Sequence, residues 1–231
     1  MKSGLSAVIV LLAGLMTHGA IAANPSNSPP PTGPVILDLN GTLIPHSYKA
    51  YTATFVATST STNLSFAFRD DPAFIELSSV SMTTGGGANL VANGNFAAGT
   101  IGGSAPTGWT YLNYYTASNG GVLKSACGIT SLNCYYDGAV QGYDLITQAI
   151  ATKVGSAYTV TFDLNETGST TTFSRLSTNG NLTTSAGNGV DVLVYAGAVP
   201  TKAPEPSSLA LMFAGLVGLG LATRRQRRQR R

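Results

Sequence analysis

Carboxylates are the side chains of this chain best suited to metal or acid–base chemistry, and they form two small groups. The first group is Asp70, Asp71 and Glu76, and the second is Asp137 and Asp144. Neighbouring residues of a strand point to opposite faces, so Asp70 and Asp71 do not form the facing pair that a glycosidase needs. Loop carboxylates suit Ca²⁺, so each group is a candidate calcium site, and no other cofactor is expected.

Histidine is too scarce to support the usual hydrolytic machinery. The chain has two histidines, His18 and His46, and His18 lies in a segment assigned to a leader below. His46 follows Pro45 without a nucleophile motif around it, whereas a Ser-His-Asp triad needs a histidine beside a nucleophile. We therefore expect a protein that is not an enzyme, and a secreted hydrolase is the least favoured alternative.

Aromatic rings are concentrated in one stretch, although the chain has only ten tyrosines and one tryptophan. Flat, exposed rings near amide side chains can stack on sugar rings. The candidate glycan-binding residues are Trp109, Tyr114, Tyr115, Tyr135 and Tyr136. The alternative, favoured for Trp109, is that the tryptophan and alternate tyrosines fill a core, with one member of each adjacent tyrosine pair facing outward.

Cys127 and Cys134 are the two cysteines of the chain. A disulfide persists in an exported protein, and two cysteines without a nearby histidine do not make a four-ligand zinc set. We therefore favour a disulfide over two free thiols.

Residues 1–23 have the order of features found in a secretion signal. Lys2 precedes an apolar run from Leu5 to Met16, and Ala20-Ile21-Ala22 supplies the small residues of a cleavage site. The apolar run is shorter than the roughly 20 residues that span a bilayer. We expect this segment to direct export and to be removed.

The C-terminal segment, residues 203–231, combines three features in order. Pro204-Glu205-Pro206 is followed by the apolar run 209–222 and then by arginines. The basic residues, expected to stay in the cytoplasm, include Arg224, Arg225, Arg227 and Arg228. The apolar run predicts a short membrane helix. Six of the 13 basic residues lie in this tail, so the net charge of +3 gives no indication of nucleic-acid binding.

These three features together closely resemble the PEP-CTERM sorting signal of bacterial envelope proteins. The resemblance implies recognition and cleavage near the motif by exosortase, an integral-membrane cysteine protease. The implied partners are exosortase and the inner membrane, in a Gram-negative host that makes exopolysaccharide. The implied location is transient anchoring in the inner membrane, followed by the cell envelope or the extracellular space.

The middle of the chain reads as short strands after a proline-rich linker at 24–34. Residues at odd positions 51–55 (Tyr51, Ala53, Phe55) alternate with Thr52 and Thr54, as expected for the two faces of a half-buried strand. Between Ile75 and Met82 the apolar positions change parity, which predicts a bulge at Ser78–Ser79. Further strands are predicted at 145–150, 158–164 and 191–195.

An internal repeat is the clearest organisational signal. Residues 49–55 resemble residues 156–162, and the same offset places Phe66 onto Phe173. The repeat predicts that each copy forms two paired strands, with a shortened copy at 35–84 and a complete module at 89–199.

Asn89-Leu90-Val91-Ala92-Asn93-Gly94-Asn95-Phe96, with Pro106-Thr107-Gly108-Trp109 after it, resembles the opening strand and following loop of galactose-binding-like β-sandwiches. The resemblance implies an all-β, jelly-roll β-sandwich of the carbohydrate-binding-module kind, flanked by the signal peptide and the short membrane helix. Ala97 replaces the glutamate usual in that motif. The expected function is a non-enzymatic envelope or matrix protein that binds exopolysaccharide, and a glycosylated structural protein without a specific ligand is the alternative.

Overall fold

The structure, a computed structural model, describes residues 28–70, 73–127, 133–167, 173–176, 182–185 and 189–203. Across these residues the chain consists of strands and loops and contains no helix. No helix that could cross a membrane is therefore found in this part of the chain. The predicted leader (1–23) and the predicted membrane helix (209–222) lie outside the described residues.

Most of the strands belong to two antiparallel sheets. Sheet I contains β1 (Val35–Asp38), β2 (Thr42–Leu43), β4 (Ser61–Arg69), β6 (Thr110–Leu112), β9 (Asp144–Ala151) and β13 (Gly189–Gly197), in the order β1-β13-β4-β9-β6 with β2 beside β13. Sheet II contains β3 (Lys49–Val56), β5 (Ile75–Thr83), β7 (Val122–Lys124), β8 (Cys134–Asp137) and β10 (Ala157–Glu166), in the order β3-β10-β5-β8-β7. A separate hairpin joins β11 (Phe173–Leu176) to β12 (Leu182–Ser185).

The two sheets share one apolar core because alternate residues of their strands point inward. Phe66 of β4 and Phe162 of β10 are both buried, and their rings meet edge to face with centroids 5.1 Å apart. Aromatic pairs favour this arrangement over a face-to-face stack. The prediction of an all-β protein with a sandwich-like core is confirmed, and the finer jelly-roll assignment stays a prediction.

The bulge predicted at Ser78–Ser79 is confirmed. Ser79 is exposed and has a φ of 53°, and the pairing of β5 with β10 shifts register at this point. The extra residue turns Val80 and Met82 back toward the core that already holds Ile75 and Leu77. One apolar face therefore continues along the whole strand.

The two similar segments pair with each other. Strands β3 and β10 are antiparallel neighbours, and their register sets Tyr51 opposite Phe162 and Phe55 opposite Tyr158. The ring centroids of these two pairs are 5.8 Å and 5.4 Å apart. The prediction that each copy forms two paired strands is wrong, because β3 and β4 belong to different sheets. Strands from 35–84 and from 89–199 are hydrogen-bonded to each other in both sheets.

Residues 89–96, expected to form an opening strand, form turns that run along β5. Asn93 and Phe96 have φ values of 51° and 55°, which a strand does not allow. The segment is held by individual hydrogen bonds instead, because the Leu90 amide donates to the Met82 carbonyl and the Val80 amide donates to the Gly94 carbonyl. The motif thus positions the Phe96 side chain in the core without adding a strand.

Candidate functional site

A shallow groove of about 600 Å³ crosses the outer face of sheet I. Its lining comes from β4, β6 and β9, from the segments on both sides of β6 and from the segment after β13. The lining residues are Asn63, Gly108, Thr110, Leu112, Tyr114, Thr147, Gln148, Ala149 and Val199. The groove joins hydroxyl and amide groups to one aromatic ring, and its volume falls within the range of small-ligand sites.

The groove floor is held by hydrogen bonds within the protein. Gln148 accepts from the Ala92 amide and donates to the carbonyl oxygens of Ala92 and Gly108. Thr147 shares a 2.7 Å hydrogen bond with Ser65 of the neighbouring strand. These contacts fix the floor, so the half-buried Tyr114 ring stands at the edge of a rigid surface.

Two of the five candidate glycan-binding aromatics lie in the core. Trp109 is 6% exposed and packs against Phe66 and Phe96, and Tyr135 is 0% exposed and packs against Phe68. Their ring faces are covered by other side chains, so the expectation that they contact sugar is corrected for both residues. The alternative reading of Trp109 as a core residue agrees with its burial.

Tyr136 lies on the outer face of sheet II, away from the groove, and its ring is in contact with the side chains of Phe74 and Lys124. It stacks on Phe74 with centroids 4.7 Å apart, and the Lys124 ammonium lies 4.1 Å from its centroid. Among the predicted aromatics, Tyr114 alone lines the groove, and Tyr115 packs beside it on the same apolar cluster.

Glu76 is buried on the outer face of sheet II and is already bound by three side chains. Its Oε2 accepts hydrogen bonds of 2.8 Å from Tyr48 and from Asn165, and its Oε1 lies 3.8 Å from the Lys124 Nζ. Within the part of the chain that the structure describes, Glu76 forms the one group of three potential ligands, with Cys127 and Cys134.

The cysteines of that group are joined in a disulfide with Cα atoms 5.8 Å apart, so neither offers a thiolate to a metal. Asp71 lies outside the described residues, and Asp70 is not part of the cluster. The described residues therefore contain no oxygen-rich ligand set that supports the calcium site expected at Asp70, Asp71 and Glu76.

The second carboxylate pair is brought together between the sheets. Asp137 of β8 and Asp144 of β9 point into the sandwich and are 1% and 0% exposed. Asp144 Oδ2 accepts hydrogen bonds from the Tyr111 hydroxyl (2.8 Å) and the Gly121 amide (2.9 Å), while Asp137 Oδ1 accepts from the Ala139 amide (2.8 Å). The remaining oxygens, Asp137 Oδ2 and Asp144 Oδ1, have no hydrogen-bond donor from the described residues.

Burial raises the pKa of both carboxyls above the usual range of aspartate. The charge of Asp144 raises the pKa of Asp137 further, because two carboxylates in one dry site cannot both ionise at low free energy. The two carboxyls also interact directly with each other, so a proton retained by either one weakens their repulsion. The arrangement is a buried carboxyl pair that links β8 of one sheet to β9 of the other.

The two ends of the described chain meet on the outer face of sheet I. We call residues 28–34 the N-terminal arm and residues 199–203 the C-terminal strap. Thr32 and Thr201 exchange two backbone hydrogen bonds of 2.8 Å and 3.0 Å, and the buried Tyr195 hydroxyl donates to the Pro31 carbonyl. The arm was expected to be an extended linker, and the described part of it packs against the body.

Tyr115 holds the last described residue of the strap. The Ala203 amide donates a 2.9 Å hydrogen bond to the Tyr115 hydroxyl oxygen, and the Lys202 ammonium lies 5.7 Å from the ring centroid. The opposite side of Tyr115 is closely packed, since a Cβ at Gly142 would lie 2.6 Å from the Tyr115 Cβ. Sequence reasoning missed this role, because no pattern links residue 115 to residue 203.

Comparison with known protein families gives one match, which lies near the C-terminus. Residues 202–228 match the PEP-CTERM protein-sorting motif. No curated protein and no solved structure matches the chain significantly. The residues of the motif itself, Pro204, Glu205 and Pro206, and the arginines after the apolar run lie outside the described residues. PEP-CTERM motifs are recognised by exosortase, a membrane enzyme, so the match indicates a chain that is exported and sorted at a membrane to the cell envelope or the extracellular space.

Proposed function

We propose that this protein is a non-enzymatic envelope or matrix protein that exosortase releases from the inner membrane after export. The observation that carries the proposal is the sorting motif at 202–228, which begins while the chain is still hydrogen-bonded to the folded body at Ala203. The secretion signal predicted at 1–23 gives the same topology, with the β-sandwich outside and the arginines inside.

The chemistry of the body supports a non-enzymatic function. His46 directs its Nδ1 to the Glu166 carbonyl oxygen at 2.9 Å, which occupies one of its two ring nitrogens. The Asp137–Asp144 pair is fully buried beneath the Gly120–Gly121 backbone, where a substrate has no access. These positions suit a stabilising function better than proton transfer to a substrate.

Changing Pro204, Glu205 and Pro206 to alanine is expected to abolish release of the protein. Intact-mass analysis of the wild-type protein from an exosortase-containing host should show loss of the leader and of the arginine tail. The alanine variant should keep the tail and stay in the membrane fraction, as the wild type should in a strain without exosortase. A reporter inserted ahead of Pro204 that is active only in the cytosol would contradict the proposed topology.

The groove on sheet I favours a second function, which is binding of exopolysaccharide. An aromatic ring beside hydroxyl and amide groups on a rigid floor is a surface on which a sugar ring can stack and form hydrogen bonds. Tyr114 supplies the ring, and Asn63, Thr110 and Thr147 supply polar groups.

Tyr114→Ala is expected to weaken binding to the host exopolysaccharide about twofold to tenfold, the usual range for loss of one aromatic contact. Tyr136→Ala is the matched control, since Tyr136 lies on the other sheet. Affinity electrophoresis with the purified host polysaccharide measures both variants. Equal retardation of wild type and Tyr114→Ala, or no retardation of the wild type, would remove this second function and leave the sorting function intact.

A further inference from the structure

The C-terminal strap leaves almost no free chain between the folded body and the sorting segment. The last described residue, Ala203, is bound to the body through its backbone amide, and Pro204 follows it directly in the sequence. Five residues, 204–208, separate Ala203 from the apolar run that begins at Leu209. Fully extended, they reach at most about 17 Å.

A folded body this close to the membrane restricts a protease that acts near the motif. A protease cleft accepts several residues of extended chain on each side of the cleaved bond, and here the residues before Pro204 are paired with the body. Thr201 is paired with Thr32, and Ala203 is bound to Tyr115. Release of the strap would add residues 199–203 and about double the reach, to roughly 34 Å.

The strap is suited to opening locally without unfolding of the core. Two backbone hydrogen bonds with Thr32 and one to the Tyr115 hydroxyl tie the strap to the rest of the described chain, and Pro200 is its buried side chain, packed beside Gly33 of the arm. Thr201 and Lys202 are exposed, while the strand before them, β13, is paired on both sides within sheet I. Segments with few buried contacts open at lower free energy than the strands they adjoin.

We propose that the Tyr115–Ala203 hydrogen bond and the Thr32–Thr201 pair restrain cleavage, so that exosortase acts on the fraction of molecules whose strap is open. Tyr115 is then a positioning residue for sorting. The inference rests on the proposed sorting function. Because the strap can form only after β13 and the N-terminal arm are in place, the restraint also makes processing depend on the folded state of the body.

Tyr115→Phe removes the acceptor for the Ala203 amide and keeps the ring. Loss of one such hydrogen bond should raise the open fraction about twofold to tenfold. Pulse-chase labelling in the exosortase-containing host should show faster release by the same factor. Insertion of six Gly/Ser residues between Ala203 and Pro204, which leaves the strap intact, should accelerate release as well. Tyr158→Phe, which removes the hydroxyl acceptor of a different backbone amide, that of Lys153, should release at the wild-type rate.

Amide exchange of the full-length protein in detergent tests the hydrogen bond without exosortase. The Ala203 amide should exchange about twofold to tenfold faster in Tyr115→Phe than in the wild type, while the amides of β13 stay unchanged. Equal Ala203 exchange in the two proteins, or unchanged or slower release of Tyr115→Phe, overturns the inference. If the wild type is not released at all, the proposed sorting function is wrong, and the restraint on cleavage is wrong with it. Amide exchange still tests the Tyr115–Ala203 hydrogen bond in that case.

Discussion

Gly121→Ala should destabilise the β-sandwich by about 3–5 kcal/mol, because the new methyl group would overlap two buried oxygen atoms. A Cβ at position 121 would collide with the Tyr135 hydroxyl and with Asp137 Oδ2. The colliding atoms belong to buried side chains, so relief requires movement of Tyr135 and Asp137 or of the backbone, and backbone movement would break the 2.9 Å hydrogen bond from the Gly121 amide to Asp144. Overpacking and the loss of a hydrogen bond to a carboxyl group add in the same direction.

Urea unfolding of the full-length protein in mild detergent, followed by the fluorescence of Trp109, measures this effect. Trp109 is a suitable probe because it is the single tryptophan and is 6% exposed. Gly85→Ala is the control: Gly85 has a φ of 57° but open space around its Cα, so only the backbone strain of about 1 kcal/mol applies. If the urea midpoint of Gly121→Ala equals that of Gly85→Ala, the Gly121 backbone does not lie in close contact with Tyr135 and Asp137.

Stability of the sandwich should fall as the pH rises above about 4, and the Asp137–Asp144 pair should account for a large part of the change. Burial raises the pKa of both carboxyls in the folded protein, whereas an unfolded aspartate titrates near pH 4. Below that pH both states are protonated, and the contribution of the pair is fully present. Above it the unfolded chain releases its protons and the folded pair keeps its own, so about 1.4 kcal/mol is lost per pH unit for each retained proton.

Among the described residues, the groups that act on this pair are the hydroxyls of Tyr111 and Tyr135 and the backbone amides of Gly121, Ala139 and Asp144, and none of them is cationic. The pair has no positive partner among them that would lower the pKa of either carboxyl. The decline in stability with pH should therefore continue until the pH exceeds the raised pKa of the pair in the folded protein.

Asp137→Asn should flatten this pH dependence and increase stability near pH 7. The asparagine side chain keeps an oxygen that accepts from the Ala139 amide and gains an N–H that can donate to the Asp144 carboxyl, without a proton to lose. Unfolding curves between pH 4 and pH 8 measure the difference between variant and wild type. Asp163→Asn, which removes a half-buried carboxylate of β10 outside the pair, is the matched control. Parallel profiles for wild type and Asp137→Asn would show that the pair does not hold a proton.

Much of the strand pattern could be predicted from alternation, but the strand partners could not. The alternation at Tyr51, Ala53 and Phe55 and the parity change at Ser78–Ser79 depend on neighbouring residues, and both appear in the structure. Partner choice depends on contacts distant in sequence, such as the pairing of β3 with β10. The resemblance between these segments therefore indicates matched neighbours in one sheet, where an internal repeat of paired strands was expected.

The candidate sites show the same division between local and distant information. The sorting motif is a contiguous pattern, and the sequence alone locates it. Asp137 and Asp144 were identifiable as carboxylates, but their meeting requires β8 and β9 to face each other from opposite sheets. The doublet Gly120–Gly121 was a visible signal of close backbone approach, although its partners Tyr111 and Tyr135 became clear only from the fold.

Attachment through a central strand also determines how the molecule would bear mechanical load. A pull on the C-terminal segment passes from the strap into β13, which lies between β1 and β4 and is paired with β4 from Asp191 to Gly197. Tension along this strand loads many ladder hydrogen bonds in shear at once, whereas the Thr32–Thr201 pair at its end would peel first. The strap would therefore yield at a lower force than the β13–β4 ladder behind it.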